Sequence, residues 1–373
     1  MNTRYAAVVL AGGLSTRMEQ FKPLLPLGDT TVIDHVIDKF LRSGIDVILV
    51  TGYRHQEIET AVKHKKITVI YNPDYKHGMF TSVQTGVSRV GQEYHAFFIA
   101  PADIPLVRQS TIRRLTDAAE ENPEKVIYPA FGGKRGHPPL IPWKLASDIL
   151  VWRRDSNLKA FLEAQETSAL EVPVADSLIL HDMDTEEEYL RLIERYRRYE
   201  IPADEECREI LTTICKVDPD RIRHSEKVAE AAVEICRAFT WRGFALDLAL
   251  IYTSALLHDI AKGQRKHDIA GGKILREMGF GEVGDIVGVH SDLAGGNTNL
   301  SLEAKIVYIA DKLIEDERQV TLEERYRTSR HRYGVTPEIE AAINERLKVA
   351  KSVKMELEKL IGHRLETVLS GYL

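Results

Sequence analysis

Cysteine is scarce in this chain: Cys207, Cys215 and Cys236 are the only three among 373 residues, at irregular spacing and without a CxxC pair. That usage argues against both a disulfide framework and a thiolate zinc site, and a reducing cytosol fits it. Long apolar runs are also missing. The stretch from Tyr5 to Ala11 is far shorter than the ~20 residues a membrane helix needs, and it runs into glycines rather than a signal-cleavage pattern. Neither a membrane partner nor export is expected, and the expected location is cytoplasmic. Positive charge is not in excess, with 50 Lys and Arg against 56 Asp and Glu and a formal net charge of -6. A nucleic-acid partner is therefore not expected, and any phosphate ligand must be met by local basic groups or metal rather than by a broad positive field.

What remains is an ordinary globular composition, 44% hydrophobic and 28% charged, in a chain longer than a single core usually supports. The first half alternates short β-branched runs with amphipathic stretches, the pattern of an α/β doubly wound, mostly parallel sheet covered by helices on both faces. Strands are expected at Tyr5 to Leu10, Asp46 to Val50, Ile67 to Tyr71, His95 to Ala100, Val126 to Ala130 and Leu170 to Val174, with helices between them. Past Ile201-Pro202 the strand signal fades, and the reading is nearly all helix, over Asp204 to Lys216, Arg221 to Phe239, Leu246 to Ile260, Ile269 to Met278, Val283 to His290, Leu302 to Asp316 and Pro337 to Ile361. The long charged segment Pro337 to Ile361 reads as a solvated surface helix or a contact with a second copy. Two domains follow, residues 1–200 and 201–373, the second all-α.

The loop after the first strand reads LAGGLSTRMEQFKPLLPLG from Leu10 to Gly28. Glycine amides can approach phosphate oxygens closely, and Gly12, Gly13 and Ser15 supply such a turn. Arg17 and Lys22 add the cations that a triphosphate requires in a chain of net negative charge. A bare Ala-Gly-Gly is more often a simple strand-to-helix turn, but more of the first half points the same way. The opening segment, Gly78-Met79-Phe80-Thr81-Ser82, Pro101-Ala102-Asp103-Ile104-Pro105, Gly136-His137-Pro138 and Asp182-Met183-Asp184-Thr185 together resemble the MobA-like nucleotidyltransferases, above all the molybdenum cofactor cytidylyltransferases. By that resemblance Leu10, Ala11, Gly12 and Gly13 wrap the nucleotide, Arg17 and Lys22 neutralise its phosphates, Ser82 helps position base or ribose, and Asp103 holds Mg²⁺. A nucleoside triphosphate and a phosphorylated, molybdopterin-like small molecule are the implied substrates, and a second copy or a molybdoenzyme is an expected partner. The chain departs from the family at Glu19, at Ile104 and over Asp155 to Leu158, and CTP is favoured over GTP. A sugar phosphate stays open as the acceptor. His137 reads either as an acceptor contact or as a turn residue, and Asp184 either as a helix cap or as a further metal ligand.

In the second half, His224 stands near the start of one helix, His258-Asp259 closes the next, and His267, His290 and Asp311 follow on successive helices. A lone helical histidine is usually a satisfied surface or core residue; six ligand types on consecutive helices suit Mn, Fe, Zn or Mg. The order His224, His258-Asp259, Asp311, with flanks Ser254 to Lys262 and Ile306 to Leu313, resembles the HD superfamily of phosphohydrolases, in particular its bacterial diadenosine tetraphosphate hydrolase branch. The resemblance implies His224, His258, Asp259 and Asp311 as ligands of one divalent ion, His267 and His290 completing a second position, and a catalytic role for Asp259 beside those of Lys22 and Asp103. Lys262 and Arg318 read equally as phosphate contacts or as surface cations. An HD domain that only senses nucleotide stays open as an alternative.

Overall fold

The computed structural model describes residues 4–13, 18, 20–153, 157–291, 300–334 and 336–370. The chain divides into two compact units, Met1–Tyr199 and Glu200–Leu373.

The first unit is built on a sheet in the order Ala169–Pro173, Val126–Phe131, Leu140–Pro142, Ala96–Pro101, Tyr5–Ala11, Asp46–Thr51, Thr68–Tyr71, with Lys134–Arg135 pairing beside Val126–Phe131. Tyr5–Ala11 lies at its centre, parallel to both Asp46–Thr51 and Ala96–Pro101. Side chains alternate along a strand, and here both faces are buried. Ala7, Val9 and Ala11 enter the core with the helix Val32–Arg42, while Ala6, Val8 and Leu10 enter the core with the helix Met79–Val87. Thr31 and Asp34 form a capping box that starts Val32–Arg42. The sheet differs from the sequence expectation at Leu140–Pro142, a short strand that runs antiparallel between Ala96–Pro101 and Val126–Phe131.

The helix Val32–Arg42 also buries a lysine. Lys39 is only 8% exposed, and burial, partly offset by Asp176, pushes its ammonium down to about 7. A base whose pKa is lower in the folded than in the unfolded chain destabilises the fold fully below the folded value, and this penalty is relieved as pH rises toward the unfolded value near 10.5. Stability of the first unit should therefore rise between pH 7 and about 10 by on the order of 4 kcal/mol, and Lys39→Met should flatten that rise. Urea unfolding of both proteins across this range checks the sign.

The second unit is helical apart from the two-stranded hairpin Ile314–Glu315/Arg318–Gln319, which the sequence did not suggest. Pro219–Trp241, Leu248–Leu257 and Leu302–Leu313 pack together at its centre. Pro219 sits at the first helical position after Asp218, whose side chain accepts the Asp220 amide, so the long helix starts just over one turn before His224. Leu248–Leu257 is shorter than expected: it is almost wholly apolar, and the chain turns at His258 rather than continuing to Ile260. Asp204–Glu209 gives way to a π-helical turn over Ile210–Ile214, and the helix Leu322–Tyr333 had no counterpart in the sequence reading.

Candidate functional site

In the first unit, the carboxyl ends of the central strands converge on the candidate nucleotide loop, where open parallel sheets gather their ligands. Gly12 passes so close to its neighbours that a Cβ would come within 3.1 Å of Ser82 Oγ and 3.6 Å of the Gly52 amide nitrogen. Ser82 is buried and accepts a hydrogen bond from Asn72 Nδ2 at 2.9 Å, while the same amide donates to Thr81 Oγ1 at 2.9 Å. Ser82 therefore supports the glycine turn from beneath. Asn72 is a contributor that sequence reading missed, because a lone Asn-Pro pair gives no sign of the two side chains, Thr81 and Ser82, that it ties together. Ser15 and Arg17, expected at the phosphates, lie outside the described residues, as do Glu19, Asp155 and Ser156.

Lys22 is buried in the short turn Lys22–Leu24, and its ammonium donates to Asp184 Oδ1 at 2.7 Å. Thr185 and Glu188 form the capping box of Glu186–Arg197, which leaves the Asp184 carboxylate turned to Lys22 rather than acting as the cap. Asp103 follows the end of Ala96–Pro101, and the Ala102 amide donates to Leu10 O at 3.1 Å, which fastens the Asp103 turn to the glycine loop. Burial raises the Asp103 carboxyl above its ordinary value; Lys22 partly offsets this, and the charges of Asp182 and Asp184 add to it. Such a carboxylate cluster, with Lys22 as its cation among the described residues, gains from a divalent ion. Beside it opens a cavity of about 550 Å³ lined by Leu10, Phe80, Tyr128, Arg135, His137 and Leu162. His137 thus faces the cavity, next to the cis bond to Pro138.

In the second unit, the six expected ligand residues lie together. His224 Nε2 is 3.4 Å and His258 Nε2 3.5 Å from Asp311 Oδ1, and His258 Nε2 is 3.7 Å from Asp259 Oδ2. His267 Nε2 and His290 Nε2 are 3.3 and 3.6 Å from the other Asp259 oxygen, Oδ1. Asp259 thus stands between two groups, with His224 and His258 on one side and His267 and His290 on the other. The backbone orients three of these rings. His224 Nδ1 bonds Asp316 O at 2.8 Å, His258 Nδ1 bonds Ala255 O at 2.7 Å and His290 Nδ1 bonds Val287 O at 2.7 Å. A carbonyl only accepts, so each Nδ1 carries the hydrogen, which leaves each Nε2 as the nitrogen able to give its lone pair to an ion.

This arrangement fits divalent ions. His258 Nε2 and His267 Nε2 are buried without a well-formed hydrogen bond, which is costly unless something else occupies the lone pair. Ligand atoms about 2.0–2.2 Å from one ion stand roughly 3–3.5 Å apart, close to the separations here. Burial works against the charged form of His258, but Asp259 and Asp311 outweigh it and raise its pKa. Burial also opposes ionisation of Asp259 and Asp311. Asp259 is nonetheless held far below the carboxylate range by His258, His267 and His290, and Asp311 by Lys312, His224 and His258.

Cations surround the two carboxylates. Lys262 Nζ lies 3.0 Å from Asp259, Lys312 Nζ 2.5 Å from Asp311, and Arg325 Nη2 3.8 Å from Asp311. Lys262 is engaged with Asp259. Arg325 comes from Leu322–Tyr333 and was not anticipated; Arg318 is exposed in the hairpin. A cleft of about 790 Å³ opens onto His224 and Asp259, with Lys262, Arg325, Arg332 and Tyr333 in its walls.

Comparison with known proteins divides the chain in a similar way. A family model described as a MobA-like NTP transferase domain matches residues 7–169, and one described as an HD domain matches residues 221–316. The molybdenum cofactor cytidylyltransferase of Escherichia coli (strain K12) is 31% identical over 190 residues, 51% of this chain and 95% of that protein. A probable molybdenum cofactor guanylyltransferase of Bacillus cereus (strain Q1) is 27% identical over 136 residues, 36% of this chain and 65% of the relative. Among solved structures, Rv0371c from Mycobacterium tuberculosis H37Rv is 25% identical and overlays 52% of this chain and 99% of its own with a TM-score of 0.48.

Proposed function

The chain belongs to the MobA-like NTP transferase family and carries an HD domain in its second half, and on that basis we propose that it is a bifunctional enzyme of nucleotidyl transfer and phosphate-ester hydrolysis. In the first reaction an oxygen of a phosphorylated, molybdopterin-type acceptor forms a bond to the α-phosphorus of an NTP. The bond from that phosphorus to the bridging oxygen breaks, and pyrophosphate leaves. The observation that carries this reading is the cluster of Lys22, Asp103 and Asp184 next to the Gly12 turn, a cation and carboxylates placed where a triphosphate and its Mg²⁺ would lie. Asp103 would hold the Mg²⁺, with Asp184 as a further ligand. The ion, when bound, supplies charge neutralisation at the phosphates. Lys22 supplies a fixed cation to the leaving group, and the glycine turn offers backbone amides.

CTP is the preferred nucleotide in this reading, supported by the cytidylyltransferase relative that is aligned over nearly its whole length. With purified full chain, Mg²⁺ and molybdopterin, pyrophosphate release should be at least about tenfold faster per mole of CTP than of GTP at subsaturating concentration, a difference of about 1.4 kcal/mol. Equal rates, or a preference for GTP, would contradict the assignment.

In the second reaction water attacks a phosphate ester. A new P–O bond forms, the ester P–O bond breaks, and the leaving oxygen takes up a proton. His224, His258, Asp259 and Asp311 would hold one divalent ion, and His267 and His290, with the second oxygen of Asp259, another. Such ions, when bound, polarise the phosphate and lower the pKa of water. Lys262 and Arg325 line the cleft where a substrate phosphate would enter.

A further inference from the structure

The turn that presents Asp103 is tethered one residue before and one residue after the carboxylate. Before it, the Ala102 amide donates to Leu10 O at 3.1 Å. After it, Ile104 O accepts from Lys39 Nζ at 3.2 Å, from within the core. We propose that Lys39 is a positioning residue for nucleotidyl transfer, whose buried head group fixes the Ile104 carbonyl and thereby the direction in which Asp103 faces its metal; this rests on the transferase reading above.

A lysine is an expensive choice at this place if packing alone mattered. Its neighbours around a void of about 10 Å³ are Pro101, Ile104, Val107, His137 and Pro138, and the void is at or below the size of one water, so solvent cannot easily take over the bond. An aliphatic residue of the same length would fill the space without the desolvation penalty that lowers this ammonium. The charged and titratable groups around it belong to other elements of the unit. Asp176, at the start of Ser177–Leu180, attracts the ammonium. Arg108, preceding Gln109–Glu121 and itself buried, is bound to the same Asp176 through its backbone amide at 2.8 Å. His137 shares the void. Among these groups it is Lys39 whose hydrogen bond to the Ile104 carbonyl is described. The same void touches the turns of both Asp103 and His137, which places Lys39 behind the metal side and the acceptor side of the site together.

The test is Mn²⁺ binding, followed by titration calorimetry in the presence of a non-hydrolysable CTP analogue. It is done on the full chain carrying Asp259→Ala, so that the ligands of the second unit contribute little. Lys39→Met is expected to weaken Mn²⁺ binding about tenfold, the scale seen when a group orienting a metal ligand is removed, while urea unfolding shows the protein at least as stable as its parent. Lys39→Gln, which keeps an N–H donor on a shorter chain, should fall between the two, at about threefold. If the methionine variant does not fold, the glutamine variant is read by the same criterion. Mn²⁺ affinity within twofold of the parent in the folded variants, or a loss of affinity that simply follows a loss of stability, overturns the proposal. If Mn²⁺ binding weakens as expected but the parent transfers nucleotide to no acceptor, the transferase reading fails and the positioning of Asp103 stands. If transfer occurs and the variants bind Mn²⁺ like the parent, the positioning role alone fails.

Discussion

Replacing Asp259 with alanine is expected to abolish phosphate-ester hydrolysis by the full chain, lowering the rate by at least about 10³-fold, and to lower the bound divalent metal. The size follows from its place. One carboxylate oxygen faces His258 and the other faces both His267 and His290, so a single truncation removes an anion from both groups of nitrogens at once. Four or more kcal/mol of transition-state stabilisation is the ordinary contribution of a metal-centred site, which corresponds to about three decades in rate. The His258 and His290 rings should keep their orientation, because Ala255 O and Val287 O hold them independently of Asp259. Metal analysis of the purified variant, with hydrolysis of bis(p-nitrophenyl) phosphate as the rate assay, checks both parts. Full metal content with undiminished hydrolysis would show that Asp259 is not shared between two ions.

Lys22→Ala carries the second large expected effect, a fall in nucleotidyl transfer of about 10²–10³-fold, the range typical when one preorganised donor to developing charge is lost. Lys22 is buried, and its head group is engaged with Asp184, so its removal takes the local cation from beside Asp103 and Asp184 together. Two carboxylates close to a triphosphate would then repel it, and the loss should appear in both kcat and the KM for CTP. Lys22→Arg should recover only part of the activity, because the longer planar head group does not fit the space of an ammonium buried against Asp184. Steady-state kinetics with CTP and molybdopterin check the split. A change confined to KM and below tenfold would assign Lys22 to binding alone.

Much of this architecture could be read from local pattern. The run Tyr5 to Leu10 ends in glycines and becomes the central strand because its alternate residues have two separate cores to enter. The apolar helix before His258-Asp259 buries Ile251 and Thr253 to Leu257, which takes its histidine inside with it. Where the reading failed, long-range packing decides the outcome. Leu140–Pro142 is three residues long and exists through antiparallel partners on either side. Leu322–Tyr333 buries only Leu322 and Tyr326, too sparse an apolar pattern to announce a helix, and so the approach of Arg325 to Asp311 was hidden. Lys39 sits among charged residues in sequence, and only the fold shows that Ile104 closes over it. Ser82 stood out as a nucleotide contact, and its closeness to the Gly12 turn was not legible in the sequence.

The central claim is that two chemistries occupy separate residues of one chain, and one paired assay tests it most directly. Pyrophosphate release from CTP and molybdopterin, and hydrolysis of bis(p-nitrophenyl) phosphate, are measured in the full chain, in Lys22→Ala and in Asp259→Ala. The prediction is that Lys22→Ala loses only the first activity and Asp259→Ala only the second. Loss of both activities in either variant, or retention of both in the two variants, would contradict it.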